Sequence, residues 1–130
     1  MYKSIYLKKG KEESLKRFHP WVFSGAISHF AEKGDIDEGE LVRVLTNGGD
    51  FIAVGHYQIG SIAVRVLSFR DVEINADFWK TRLTSALNAR LAIGIANKAD
   101  NDTYRLVHGE GDNLPGLIVD CYGKTAVMQA

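Results

Sequence analysis

The chain has 130 residues, with 16 Lys+Arg against 16 Asp+Glu, one Cys, 13 Gly and 2 Pro. That length holds one ordinary domain or two small ones, and 45% apolar with 25% charged residues excludes disordered and collagen-like chains. The zero net charge would argue against a polyanionic partner only if the charge were evenly spread.

It is not. Residues 1–20 carry Lys3, Lys8, Lys9, Lys11, Lys16 and Arg17 against Glu12 and Glu13, with His19 beside them. Residues 31–50 carry Lys33 and Arg43 against Glu32, Asp35, Asp37, Glu38, Glu40 and Asp50. A local basic patch attracts phosphates within a Debye length of ~8 Å whatever the total charge. No apolar run reaches the ~18 residues of a membrane helix. The first residues lack the apolar stretch of a secretory signal, and a lone Cys allows no internal disulfide, so a cytoplasmic protein without membrane contact is expected.

In chain order, Ser4–Lys8 reads as a strand with Ile5 and Leu7 on one face and Tyr6 on the other. Gly10 ends it. Residues 12–18 suit a two-turn helix with Leu15 and Phe18 spaced i, i+3 toward a core, stopped near Phe18 by Pro20. Glu40–Leu45 alternates as a strand, and Thr46–Asp50 is a turn around Asn47-Gly48. Phe51–Tyr57 and Ser61–Phe69 complete a small β-barrel-like domain over residues 1–70. From residue 75 the period changes. Asn75 or Asp77 caps a helix whose Trp79, Leu83, Leu87 and Leu91 form a stripe expected to pack in a core, closed by Gly94, Asn97 and the polar run 98–102. Thr103–Val107 and Leu117–Cys121 are strands joined by a long turn, and a return strand from Thr125 is still running at Ala130, where an exposed edge is expected.

Two segments carry candidate chemistry. Lys11 to Ile27 gathers cations, His19 and Trp21 ahead of Ser24-Gly25. This composition offers phosphate contacts, an aromatic ring for base stacking and a bare backbone at Gly25. The same Trp21 and Phe23 also suit a core. His108–Gly116 holds three glycines and two acids, but it lacks both EF-hand spacing and the helix that must follow a dinucleotide-binding glycine loop. Its expected role is to shape the connection between two strands. Cys121 has no partner Cys or activating His nearby, and the four His form no ligand pair. No catalytic, metal or cofactor-binding residues are assigned.

Leu15-Lys16-Arg17-Phe18-His19-Pro20-Trp21-Val22-Phe23-Ser24-Gly25-Ala26-Ile27 resembles a signature near the start of the bacterial S-adenosylmethionine-dependent enzymes that form 5-methylcytosine in 23S rRNA. Tyr104 to Asp120, with His108-Gly109-Glu110-Gly111-Asp112-Asn113-Leu114-Pro115-Gly116 at its centre, resembles the middle segment of the same family. The resemblance implies an α+β, mostly β chain. Residues 1–70 would form a PUA-like pseudo-barrel, and residues 75–130 would be the first part of a central β-β-α-β-β domain. It also implies that the Rossmann-like methyltransferase domain, with its donor site and attacking cysteine, is absent from these residues, which would be inactive alone.

Two positions depart from the family pattern. Cys121 stands where relatives carry a basic residue, and Phe18 stands where they often carry Arg. The expected partner is large-subunit rRNA. Lys11, Lys16, Arg17 and His19 would contact phosphates, while Trp21, Ser24 and Gly25 would border the groove and Arg65 would join from a neighbouring strand. The alternative is a stand-alone protein-interaction or self-association module, dimerising through the last strand.

Overall fold

The computed structural model describes residues 2–31, 35–96 and 99–130. They form two compact units, Met1–Val72 and Glu73–Ala130, and are mostly β with a few helices. Among the described residues no helix is long and apolar enough to cross a membrane.

The first unit contains β1 (Lys3–Leu7), a one-turn α1 (Glu13–Lys16), β2 (Trp21–Phe23), a 3-10 turn (Ser24–Ala26), β3 (Ile27–Phe30), β4 (Leu41–Leu45), β5 (Phe51–Tyr57) and β6 (Ile62–Ser68). These strands make one six-stranded sheet in the order β2-β6-β5-β4-β1-β3. Its two edge strands, β2 and β3, are joined by only three residues, which reach ~10 Å. Six strands laid flat span more than ~20 Å. The sheet therefore curls until its edges nearly meet, giving a half-barrel. Lys8 N–H to the Ala26 carbonyl and Ser24 N–H to the Ser61 carbonyl, both 2.8 Å, pin the junction.

Alternation drives the core. Ile5 and Leu7 from β1, Val42 and Val44 from β4, and Val64 and Val66 from β6 point inward with Val22, Ala53 and Leu15. Tyr6, on the opposite face of β1, stacks on His29 at 4.7 Å. The β4–β5 turn gains its positive φ at Gly49 (+92°) rather than at Asn47, and the register shifts between Val44 and Leu45. Strands β2 and β3, at three and four residues, carry too little periodicity to be read from sequence.

One expectation in this unit fails. Leu15 is buried, but Phe18 is 73% exposed. The helix is shorter than its pattern suggests, and Phe18 lies beyond its end with φ +62°. That left-handed turn swings the ring out of the i, i+3 row that includes Leu15.

The second unit contains α2 (Ala76–Ala92) followed by an antiparallel meander of β7 (Thr103–His108), β8 (Ile118–Tyr122) and β9 (Thr125–Gln129). Asn75 caps α2 by accepting from the Phe78 N–H at 3.0 Å. Its small core joins Ala86, Val107, Leu114 and Val119. Of the expected α2 stripe, Trp79 packs against this core, but Leu83 and Leu91 are exposed and Ala86 is the buried residue of the helix. Trp79, Leu83 and Leu87 also line an open groove of about 570 Å³ with Leu106. A four-residue spacing identifies an apolar face; it does not supply enough opposing surface to cover it. Gly94 takes φ +76° just past the helix. Asn97 and Lys98, also expected to close it, lie outside the described residues.

The 108–116 connection is a 3-10 turn, Gly109–Asp112, locked to the helix. Arg90 donates to both oxygens of Asp112 at 2.5 and 2.8 Å and to the Arg105 carbonyl at 3.0 Å. The His108 N–H adds a 2.6 Å bond to the same carboxylate, and Arg82 donates to the Asn113 carbonyl at 2.6 Å. Cys121 is a half-buried strand thiol opposite Tyr104 and Ala126.

Candidate nucleic-acid interface

Where the half-barrel's edges approach, the first unit opens a cleft of about 410 Å³ lined by Lys11, Ser14, Leu15, Trp21, Val22, Phe23, Gly25 and Ala26. Three short elements build it. The α1 turn supplies Ser14 and Leu15, β2 supplies an aromatic pair two residues apart on one face, and the 3-10 turn supplies a bare backbone. Val22, between the aromatics, points into the core.

The aromatics are held in order. His19, Trp21 and Phe23 meet at ring-centroid distances of 5.9, 6.1 and 6.4 Å. His19 Nδ1 lies 3.3 Å from both the backbone nitrogen and the carbonyl oxygen of Trp21, which holds the imidazole beside the indole. Arg65 is opposite Trp21 across the β2–β6 ladder. Its guanidinium carbon lies 5.5 Å from the indole centroid, and its Nε donates to Gln58 Oε1 at 2.6 Å. Arg65 is thus a wall of the aromatic stack as well as a charge.

Lys11 lines this cleft, and Lys8, Lys9, Lys16 and Arg17 stand near its lining residues in sequence; all five are exposed and form no ion pair among the described residues. A carboxylate neutralises its partner elsewhere in the unit: Lys3 bonds Glu40 at 3.1 Å and the Asp35 carbonyl at 3.0 Å. The Asp37 backbone N–H and Lys3 together hold the Glu40 carboxyl below its ordinary range.

The expected residues fall into two groups. Lys11, Trp21 and Gly25 line the cleft, while His19 and Arg65 touch Trp21 and Lys16 and Arg17 directly follow the cleft residue Leu15 in sequence. A Cβ built at Gly25 would meet nothing within 4 Å, so its backbone faces open space. Ser24 is exposed beside the cleft, with its N–H committed to Ser61. Phe23 is the wall residue that composition did not single out. At 49% exposed it is no core residue, and its i, i+2 spacing from Trp21 was the available signal. Leu15, Ser14 and Gln58 carried no such signal.

A model of the PUA-like domain matches residues 5–69. Over 98% of its length the chain is 38% identical to Ribosomal RNA large subunit methyltransferase I of Salmonella arizonae, and 39% identical to that of Salmonella paratyphi B. It spans 31% of the length of each of these curated relatives. Two solved structures share the fold over 98% of the chain. One is a Streptococcus mutans protein assigned as a SAM-dependent methyltransferase, with TM-score 0.76, 18% identity and 32% of that chain covered. The other is SMU.776, assigned as a methyltransferase and solved with SAH, with TM-score 0.78, 19% identity and 32% covered. On this match and this half-barrel, the chain belongs to the PUA-like domain family.

Proposed function

We propose that the chain is the RNA-holding part of an S-adenosylmethionine-dependent rRNA (cytosine-C5) methyltransferase, and that its first unit presents large-subunit rRNA to a catalytic domain beyond these residues. The observation that carries this reading is an aromatic cleft lined by Lys11, with Lys8, Lys9, Lys16 and Arg17 exposed nearby in sequence and none of the five ion-paired among the described residues. The cations supply phosphate affinity and the cleft supplies a place for bases, which is the combination single-strand binders use. The similarity to rRNA methyltransferases supports the choice of RNA. Lys11, Lys16, Arg17 and His19 are assigned to phosphates, and Trp21, Ser24 and Gly25 to the groove.

The glycine-rich turn, the one segment whose composition suggested a nucleotide loop, does not fit a methyl donor. It is closed by the Arg90–Asp112 pair and leads into β8, not into a helix whose N-terminus would take a nucleotide. No catalytic step is derived from this chain.

Fluorescence anisotropy with an rRNA fragment tests the reading. Affinity is expected to fall steeply between about 50 and 200 mM salt. Lys16→Ala with Arg17→Ala is expected to reduce the log–log salt slope by about 1.4, taking ~0.7 per single-strand phosphate contact. Unchanged affinity of the double variant at low salt would place the RNA elsewhere. One observation favours a second reading: all five residues of β9 are exposed and, among the described residues, the strand pairs with β8 alone, so two chains could join edge to edge. A dimer in light scattering that is lost on deleting residues 126–130, together with no RNA binding, would support it.

A further inference from the structure

Phe18 is the most conspicuous misfit of the first unit. A residue in the left-handed region just after a helix is ordinarily Gly or Asn, because a Cβ is strained there. Here a Phe takes φ +62°, with its N–H bonded to the Leu15 carbonyl at 2.9 Å. Burial does not compensate for the strain, since the ring is 73% exposed. Among the described residues its aromatic neighbour is Phe69, which meets it at 5.3 Å and 84°, an edge contact that leaves a ring face uncovered by aromatic side chains. On either side in sequence stand Arg17, exposed and without an ion pair among the described residues, and His19, whose ring meets Trp21.

We infer that Phe18 is a base-stacking contact: a platform for one unpaired RNA base, adjacent to the cleft and served by Lys16 and Arg17 on the flanking phosphates. This rests on the RNA reading above and narrows it to RNA with an accessible base. A duplex interior keeps its base faces stacked and offers no partner to an exposed ring. The charge around the ring matches a polyanion, and the strained backbone holds the ring outward.

Phe18→Gly separates a binding role from a packing role, because glycine suits this backbone position. Three measurements are needed: the melting temperature, and binding to a short single-stranded RNA and to a blunt RNA duplex. The variant is expected to melt at or above the temperature of the parent chain. It should bind the single strand about five-fold or more weakly, with the salt slope unchanged. Phe18→Tyr should restore binding. The inference is overturned if Phe18→Gly binds the single strand as the parent does, if the parent prefers the duplex, or if the variant melts several degrees lower, which would assign the ring to packing. If the parent chain binds neither RNA, the RNA reading itself fails.

Discussion

Gly55 in β5 shows how one missing side chain can support a whole site. A Cβ there would lie 2.2 Å from the Arg65 carbonyl oxygen and 2.9 Å from Val66 Cα. Both are backbone atoms of β6, the strand that pairs with β2 and sets Arg65 opposite Trp21. Gly55→Ala must therefore push β6 away from β5. The expected cost is about 3 kcal/mol, with a melting temperature lower by roughly 10 °C or more for a unit of this size; differential scanning calorimetry checks it. Asp112 makes a different prediction. Burial draws its carboxyl upward, but the Arg90 fork and the His108 amide outweigh this and hold it below its ordinary 3.8. A carboxyl depressed on folding contributes fully above 3.8, and that contribution is lost as pH falls through the folded value. The melting-temperature difference between about pH 7 and about pH 2.5 should accordingly be smaller for Asp112→Asn than for the parent. Phe18 and Phe23 mark the limit of residue-by-residue reading. Both suited a core in sequence, but Phe18 lies past the end of a short helix and Phe23 shares the outward face of β2 with Trp21, opposite the buried Val22.

At the scale of elements, what was legible followed length. The five- and seven-residue strands β4, β5 and β6 and the seventeen-residue α2 show their period over enough positions to declare themselves. The elements that build the cleft are the shortest in the unit: a four-residue helix, a three-residue strand and a three-residue turn. The cations of the candidate site could be read from their clustering, because charge needs no period. Of the aromatic wall only Trp21 was read from sequence, because the pairing of Trp21 with Phe23 needs β2 to form at an edge of the curled sheet. Leu15 links the two kinds of information. It is the buried residue of α1 and also lines the cleft, so Leu15→Ala should remove about 2–5 kcal/mol of stability and loosen the turn that carries Lys16 and Arg17. Chemical denaturation is the appropriate measurement.

At the scale of the molecule, each unit has its own core cluster, and the proposed RNA contacts all lie in the first. A chain ending at Val72 is thus expected to bind the rRNA fragment within about three-fold of the full 130 residues, as independent sites do. A much larger loss in anisotropy would mean that residues 73–130 contribute directly. The zero net charge deserves a final physical reading. Strand β1 starts where Lys3 is paired with Glu40 near the exposed Asp35, Asp37 and Glu38 and leads to Lys8 and Lys9, exposed and without an ion pair among the described residues, with a strand's length of ~17 Å between. The half-barrel is therefore an electric dipole. In the field of a polyanion it experiences a torque, and little net pull, so diffusing molecules arrive with the cleft forward and the acidic end trailing. Salt should then slow association of a protein that carries no net charge at all.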